Sequence, residues 1–177
     1  MSMTDREFET NIGLIQQGNQ EGLRAIYEEY LPSVYSAVNS ILHNEESAKD
    51  VTADFFIKLW DIADQYRQGG KHKAWMLTIA RNMAVDYLRK YRREQLVDEI
   101  PESNPQEPNA QEELICAELT LKQALETLEE EEKQIVNLKI MGELTFKEIA
   151  RIMKKPLGTV AWKYRVALSK LKRCRYE

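Results

Sequence analysis

The chain has 177 residues, of which 43% are hydrophobic and 31% charged, and its formal net charge is −4. This composition is typical of a folded globular protein and excludes an intrinsically disordered one. No run of eighteen apolar residues occurs, and residues 1–10 lack the apolar core of a secretory signal, so we expect neither a membrane span nor export. Cys116 and Cys174 form no CxxC pair, which favours two free thiols in the cytoplasm.

Charge is divided unevenly along the chain. The balance is −2 over residues 1–94, −11 over residues 95–132 and +9 over residues 133–177. A basic end of this kind favours a polyanionic partner, which the acidic middle can screen. The chain has only seven glycines and five prolines, and long stretches contain neither. This scarcity predicts an all-α protein.

The first part of the chain shows three helical periodicities in succession. The first covers about residues 4–17 and stops at Gly18, and the second continues to about residue 41. Pro32 lies inside the second pattern, where it either kinks the helix or marks a joint. Asn44 is a credible N-cap for a third helix that reaches about residue 65.

The predicted third helix has one apolar stripe and one acidic face. Val51, Phe55, Leu59 and Ile62 form the stripe. The acidic face carries carboxylates at spacings of four and seven with a lysine nearby: Asp50, Asp54, Asp61 and Lys58. Either this face only confers solubility, or it docks on a basic surface of a partner. Catalysis by the carboxylates is not expected, because no nucleophile, metal-ligand set or acid–base partner converges on them.

A loop and a long amphipathic helix follow. Residues 65–73 combine two glycines with basic and aromatic residues, and they form either an ordinary connector or a loop that holds a flipped base. Residues 71–93 contain neither glycine nor proline. One face carries Met76, Ala80, Met83, Tyr87 and Tyr91, and another is polar and increasingly basic. The second face is either merely solvated or offered to nucleic acid.

Periodicity disappears over residues 95–112, where three prolines and many acidic residues predict an extended linker. The sequence therefore predicts two domains, residues 1–94 and residues 113–177. The second domain begins with helical patterns through Leu128 and from Ile135 to Ile140. Thr145 then opens a capping box before a short helix, and a basic helix runs from Gly158 to about Arg175.

A short helix, a tight turn and a longer basic helix form the helix-turn-helix arrangement, whose second helix enters the major groove of DNA. Packing of three helices without any role in DNA binding is the alternative. The charge of +9 over residues 133–177 favours binding to DNA.

Both predicted domains resemble one family. Residues 48–60 (AKDVTADFFIKLW) resemble the helix of bacterial sigma-70-type factors that binds core RNA polymerase, and residues 74–89 (AWMLTIARNMAVDYLR) resemble the promoter-melting helix. Residues 124–128, 144–150 and 158–160 resemble the C-terminal helix-turn-helix of the same family. Two such domains joined by a short linker resemble the extracytoplasmic-function (ECF) group.

The resemblance implies a role for each surface. The β′ clamp helices and β flap of core polymerase are the implied protein partners, and the residues implied at the core-binding surface are Asp50, Asp54, Phe55, Lys58 and Asp61. Those implied at the minus-ten promoter element are Tyr66, Lys71, Lys73, Trp75, Thr78, Arg81, Asn82, Arg89, Arg92 and Arg93. Those implied at the minus-thirty-five element are Thr145, Thr159, Lys163, Tyr164, Arg165, Lys170 and Lys172.

The chain departs from the family pattern at several positions. Asp54 replaces the usual glutamate beside the core-binding aromatic residues, and Glu129 replaces the usual proline before the second C-terminal helix. In the recognition helix, apolar residues stand where basic or small polar residues are common: Ala161, Trp162, Val166 and Leu168. Trp162 packs either on the sugar-phosphate backbone or against a partner.

The sequence thus predicts an alternative sigma factor in the cytoplasm, and the resemblance further implies control by an anti-sigma factor that can hold it at the membrane. A stand-alone helix-turn-helix regulator with a ligand-sensing or dimerising N-terminal domain is the second hypothesis, and a helical enzyme is the third. We expect no catalytic residue, metal, cofactor or small-molecule substrate, because His43 and His72 are isolated and no glycine-rich phosphate loop is present.

Overall fold

The computed structural model describes residues 2–95 and 121–176 of the chain, without the side chains of residues 95, 175 and 176. Every regular element in these two segments is helical, which confirms the predicted all-α fold. A 3₁₀ turn at Ala63–Gln65 follows α3, and residues 121–126 are also helical. The α-helices are α1 (Asp5–Gln16), α2 (Gln20–Leu42), α3 (Glu45–Ile62), α4 (His72–Gln95), α5 (Glu130–Ile140), α6 (Phe146–Met153) and α7 (Leu157–Tyr176). The predicted linker lies outside the described residues, except Gln95, and Cys116 lies outside them too.

Four of the described helices begin at side chains that accept hydrogen bonds from otherwise unpaired backbone N–H groups. Thr4 and Thr145 form full capping boxes with glutamates three residues later, and Asn19 and Asn44 accept from backbone N–H groups within the first turn. The predicted starts at Thr4, Asn44 and Thr145 are therefore confirmed. The α2 helix runs through Pro32, so this proline does not divide it into two helices.

The N-terminal domain is a four-helix bundle around one apolar core. Phe8, Val34, Phe55, Leu59 and Ala80 have no exposed surface. Because these side chains come from all four helices, they hold α3 and α4 side by side with their polar faces outward.

In the C-terminal domain, α5, α6 and α7 surround Ile149 and Val160, which are both fully buried. Lys154, with a left-handed φ of 54°, ends α6 and turns the chain toward α7. This arrangement confirms the predicted helix-turn-helix.

The two domains pack against each other along α2 and α4. A Cβ atom on Gly142 would lie 2.7 Å from Leu77 Cδ1 on α4. The two domains therefore approach too closely at this position for any side chain larger than that of glycine. Ser33 Oγ donates a hydrogen bond to Met141 O at 2.9 Å, and the Asn137 amide donates to Ser36 Oγ. Buried residues of both domains form one large cluster, and Leu128, Val136 and Ala167 form a second, smaller one in the C-terminal domain.

Candidate partner and nucleic-acid surfaces

The outward face of α3 is acidic, as the sequence predicts. Asp50, Asp54 and Asp61 are all exposed, with Lys58 exposed beside them. The structure adds Ile57, which lies at the same helical register as the three carboxylates and is 64% exposed. An exposed isoleucine among carboxylates offers a partner both an apolar contact and negative charge. Ile57 lies three residues after Asp54 and four before Asp61, and this spacing alone could have placed it on the acidic face.

Phe55 requires a correction. The resemblance implies that it lies at the core-binding surface, although its spacing predicts a place in the apolar stripe. Its side chain has no exposed area and packs edge-to-face against Phe56 at 5.1 Å between ring centroids. It belongs to the apolar stripe that faces the core. Phe56 in turn lies with Tyr27 and Trp60 in a shallow groove of about 460 Å³ between α2 and α3.

The loop before α4 is built on a buried aromatic cluster. Tyr66 is only 8% exposed, and its hydroxyl donates a hydrogen bond to Gly70 O at 2.9 Å, so its predicted contact with DNA is corrected to a loop-shaping role. Trp75 packs edge-to-face on Tyr66 at 5.1 Å between centroids and is partly buried. Its indole is therefore held against the protein rather than projecting freely from α4.

His72 is the least expected member of this cluster. The sequence places it in a basic loop, but it begins α4 and is 3% exposed. Its Nε2 lies 2.5 Å from the Tyr30 hydroxyl, its Nδ1 bonds to Asp5, and its ring stacks on Phe8. The hydrogen bond from His72 is the chief cause of a lowered Asp5 pKa, which partial burial opposes. Burial raises the pKa of Tyr30 above its ordinary range.

The two ends of the basic face of α4 differ in accessibility. Near its N-terminus, three predicted DNA-binding cations engage the C-terminal domain. Lys71 pairs with Glu148 at 3.1 Å, Lys73 pairs with Glu143, and Arg81 Nη2 donates to Gln134 Oε1 at 3.4 Å. From the middle of the helix to its C-terminus, the predicted DNA-binding residues are exposed, namely Asn82, Arg89, Arg92 and Arg93. Thr78 is partly buried and donates to Ala74 O within the helix.

Arg81 is half-buried and has no carboxylate partner among the described residues. Its Nε is buried and makes no hydrogen bond there. Burial alone lowers the pKa of this guanidinium. A cation held in this way is poorly satisfied while the two domains are in contact.

The recognition helix α7 divides its cations between two faces. Lys163 bonds to Glu131 at 2.7 Å, and this bond raises the lysine pKa. Lys170 bonds to both carboxylate oxygens of Glu132, at 2.9 and 3.0 Å. The predicted residues Arg165 and Lys172 are exposed instead, Thr159 is half-buried, and Thr145 is exposed at the start of α6. Tyr164 packs edge-to-face on Phe146 at 5.2 Å.

No group of three or more histidine, cysteine, aspartate or glutamate side chains in residues 2–95 and 121–176 is placed to hold a metal ion. None of the helices in these segments is long and apolar enough to cross a membrane.

These surfaces define a two-domain, helical protein of the helix-turn-helix class. Residues 26–94 match the family model of sigma-70 region 2, and residues 118–171 match that of sigma-70 region 4. The ECF RNA polymerase sigma factor RpoE of Cereibacter sphaeroides is 32% identical over 131 residues, which cover 72% of this chain and 70% of that protein. The chain belongs to the ECF group of sigma-70 family RNA polymerase sigma factors.

Two other similar proteins are also ECF RNA polymerase sigma factors. SigW of Bacillus subtilis is 25% identical over 158 residues, which cover 82% of this chain and 84% of that factor. BldN of Streptomyces coelicolor is 26% identical over 150 residues, and the match spans 82% of this chain but 57% of BldN.

Two solved structures share the fold. RpoE from Bartonella quintana, in complex with the anti-sigma factor NepR, has a TM-score of 0.68 and 22% identity, covering 86% of this chain and 96% of that one. CnrH in complex with the cytosolic domain of CnrY has a TM-score of 0.62 and 18% identity, covering 93% and 94%.

Proposed function

We propose that this ECF sigma factor binds core RNA polymerase through the outward face of α3 and directs it to promoters through α4 and α7. The observation that carries the proposal is the exposed row of Asp50, Asp54 and Asp61 around Ile57. Carboxylates flanking an apolar contact fit a basic helical surface, such as the β′ clamp helices, because charges steer the encounter and the isoleucine excludes water. The polymerase carries out the bond-forming chemistry, so the sigma factor itself needs no catalytic residue, metal or cofactor.

On α4, the exposed Asn82, Arg89, Arg92 and Arg93 form the accessible part of the minus-ten surface. Arginines bind phosphates and an amide hydrogen-bonds base edges, so this face suits promoter DNA. Lys71, Lys73 and Arg81 reach the same DNA only after their contacts with the C-terminal domain are broken. Engagement of the minus-ten element by all of these residues together therefore requires the two domains to separate, as does simultaneous contact with a second, distant element.

We also propose that an anti-sigma factor regulates this chain in the cytoplasm and, when anchored, holds it at the membrane. The two solved relatives support this proposal, because RpoE was solved with the anti-sigma factor NepR and CnrH with the cytosolic domain of CnrY. An anti-sigma factor that stabilised the contact between the domains would keep Lys71, Lys73 and Arg81 from DNA.

Reconstituted transcription tests the central proposal. Core polymerase should gain promoter-specific initiation when this chain is added. Changing Asp50 and Asp54 together to alanine should weaken binding to core polymerase at least tenfold, because two steering carboxylates are lost, while the DNA affinity of the C-terminal domain stays the same. The control is Glu28→Ala with Glu126→Ala, which removes two exposed carboxylates from other helices and gives the same change in charge.

Two outcomes would contradict the proposal. The first is equal loss of core binding in the test and control variants, because the location of the charge would then not matter. The second is tight, specific binding to duplex DNA with no effect of polymerase, which is the behaviour of a stand-alone helix-turn-helix regulator.

A further inference from the structure

The side of α7 that points away from the protein carries a large apolar residue. Trp162, the sixth residue of this helix, is 59% exposed. Val160 and Ala167 on the same helix are fully buried, and at 100° per residue Trp162 lies almost opposite to them. The indole is thus directed outward, near the end of the recognition helix that contacts base edges in helix-turn-helix complexes.

The cations of α7 that lie nearer the core are already paired. Lys163 and Lys170 occupy the flank of the helix and bond to Glu131 and Glu132. In this arrangement the ammonium group of Lys163 binds a carboxylate of its own domain. The residues left on the outward face are Trp162, Arg165, Ser169, Lys172 and Arg173.

We infer that Trp162 is a specificity-determining residue for the minus-thirty-five element and that it reads the 5-methyl group of a thymine. This inference rests on the proposed function of α7. The thymine methyl is the apolar group that base pairs offer in the major groove, and it is read by apolar side chains. An indole has one N–H donor and otherwise an apolar surface, so contact with a methyl group removes apolar area from water on both sides.

The charges around Trp162 favour DNA over a protein partner. Arg165, Lys172 and Arg173 share its face, and no acidic residue lies on that face among the described residues. In DNA, the phosphates can pair with these three cations, and the thymine methyl group in the major groove can contact the indole. A hydrophobic partner protein would have to remove these cations from water without neutralising them.

The experiment uses holoenzyme reconstituted from the full chain and core polymerase. Promoter duplexes randomised across the minus-thirty-five element are selected for binding, and each thymine of the selected sequence is then replaced by deoxyuridine, which removes only the methyl group. Wild type should bind one of these duplexes about fourfold more weakly, the effect expected for one buried carbon. Trp162→Ala should bind the thymine and uracil duplexes equally, and Trp162→Phe should retain part of the difference.

Ile140→Ala is the matched control, because Ile140 is 54% exposed in the same domain but lies on α5. It should keep the wild-type preference for thymine. The inference is overturned if Trp162→Ala retains the full preference, if the selected element contains no thymine, or if Trp162→Ala weakens only binding to a protein partner. If wild-type holoenzyme selects no sequence at all, the proposed function fails instead, so the two failures are distinguishable.

Discussion

Gly142 is the position at which a single added carbon should separate the two domains. An ideal Cβ there lies 2.7 Å from Leu77 Cδ1 and 2.6 Å from Leu138 O, about 1 Å inside ordinary contact. Overpacking of this kind costs ~1–3 kcal/mol. If that cost falls on the contact between domains, the ratio of closed to open molecules falls by ~5–150-fold. Gly142→Ala should therefore increase the radius of gyration in small-angle X-ray scattering.

A second substitution tests whether contact with Leu77 causes the effect of Gly142→Ala. Leu77→Ala removes the atom of the N-terminal domain that the new methyl group meets and leaves Leu138 O in place, so combining it with Gly142→Ala should show a favourable coupling of ~0.5–3 kcal/mol in urea unfolding. Gly158→Ala is the control, because no atom lies within 4 Å of a Cβ added there. Strict additivity of the two substitutions, together with an unchanged radius of gyration for Gly142→Ala, would refute the reasoning.

Three further predictions concern stability. Gly22→Ala should destabilise the fold by ~1–3 kcal/mol in thermal unfolding, because its Cβ would lie 2.3 Å from a backbone oxygen of α1. Gly13→Ala is the control, because its Cβ meets no atom within 4 Å, and it should stabilise the fold by up to ~1 kcal/mol. The hydrogen bond with His72 is the chief cause of the lowered pKa of Asp5. The ionised carboxylate therefore stabilises the fold above pH ~4, and this stabilisation is lost as the pH falls through the folded-state pKa. Asp5→Asn should reduce the loss of unfolding free energy at acid pH, measured by unfolding across a pH series. Glu132→Gln should cost ~1–3 kcal/mol by urea unfolding, because this carboxylate is 3% exposed and bonds a lysine and a backbone N–H.

Much of the fold follows from local sequence chemistry. Thr4, Asn44 and Thr145 mark helix starts because each side chain caps the turn that follows it, and capping depends only on neighbours in the chain. The acidic face of α3 is likewise predictable, because three carboxylates at helical spacing must share one side. Spacing places Phe55 in the apolar stripe, but the family resemblance does not separate the buried Phe55 from the exposed Ile57, because both lie in one run of apolar residues.

The long-range contacts could not be predicted. His72 looks like a loop residue until α1 brings Asp5 and Phe8 against it, 67 and 64 positions earlier in the chain. The pairs of Lys71 with Glu148 and Lys73 with Glu143 also depend on how two separately predicted domains meet. Hydrophobic periodicity reports which face of a helix is apolar, but it carries no information about which distant element covers that face.

The guanidinium of Arg81, which has no carboxylate partner among the described residues, couples DNA binding to the arrangement of the domains. Withdrawing this cation from water without a carboxylate makes the closed form less stable than its apolar contacts alone would make it. A phosphate that binds Arg81 therefore draws molecules from the closed to the open population. By thermodynamic reciprocity, any ligand that separates the domains raises the affinity of α4 for DNA by the same factor. A polymerase that separates the domains would therefore be a cooperative ligand with promoter DNA, even where the two never touch each other.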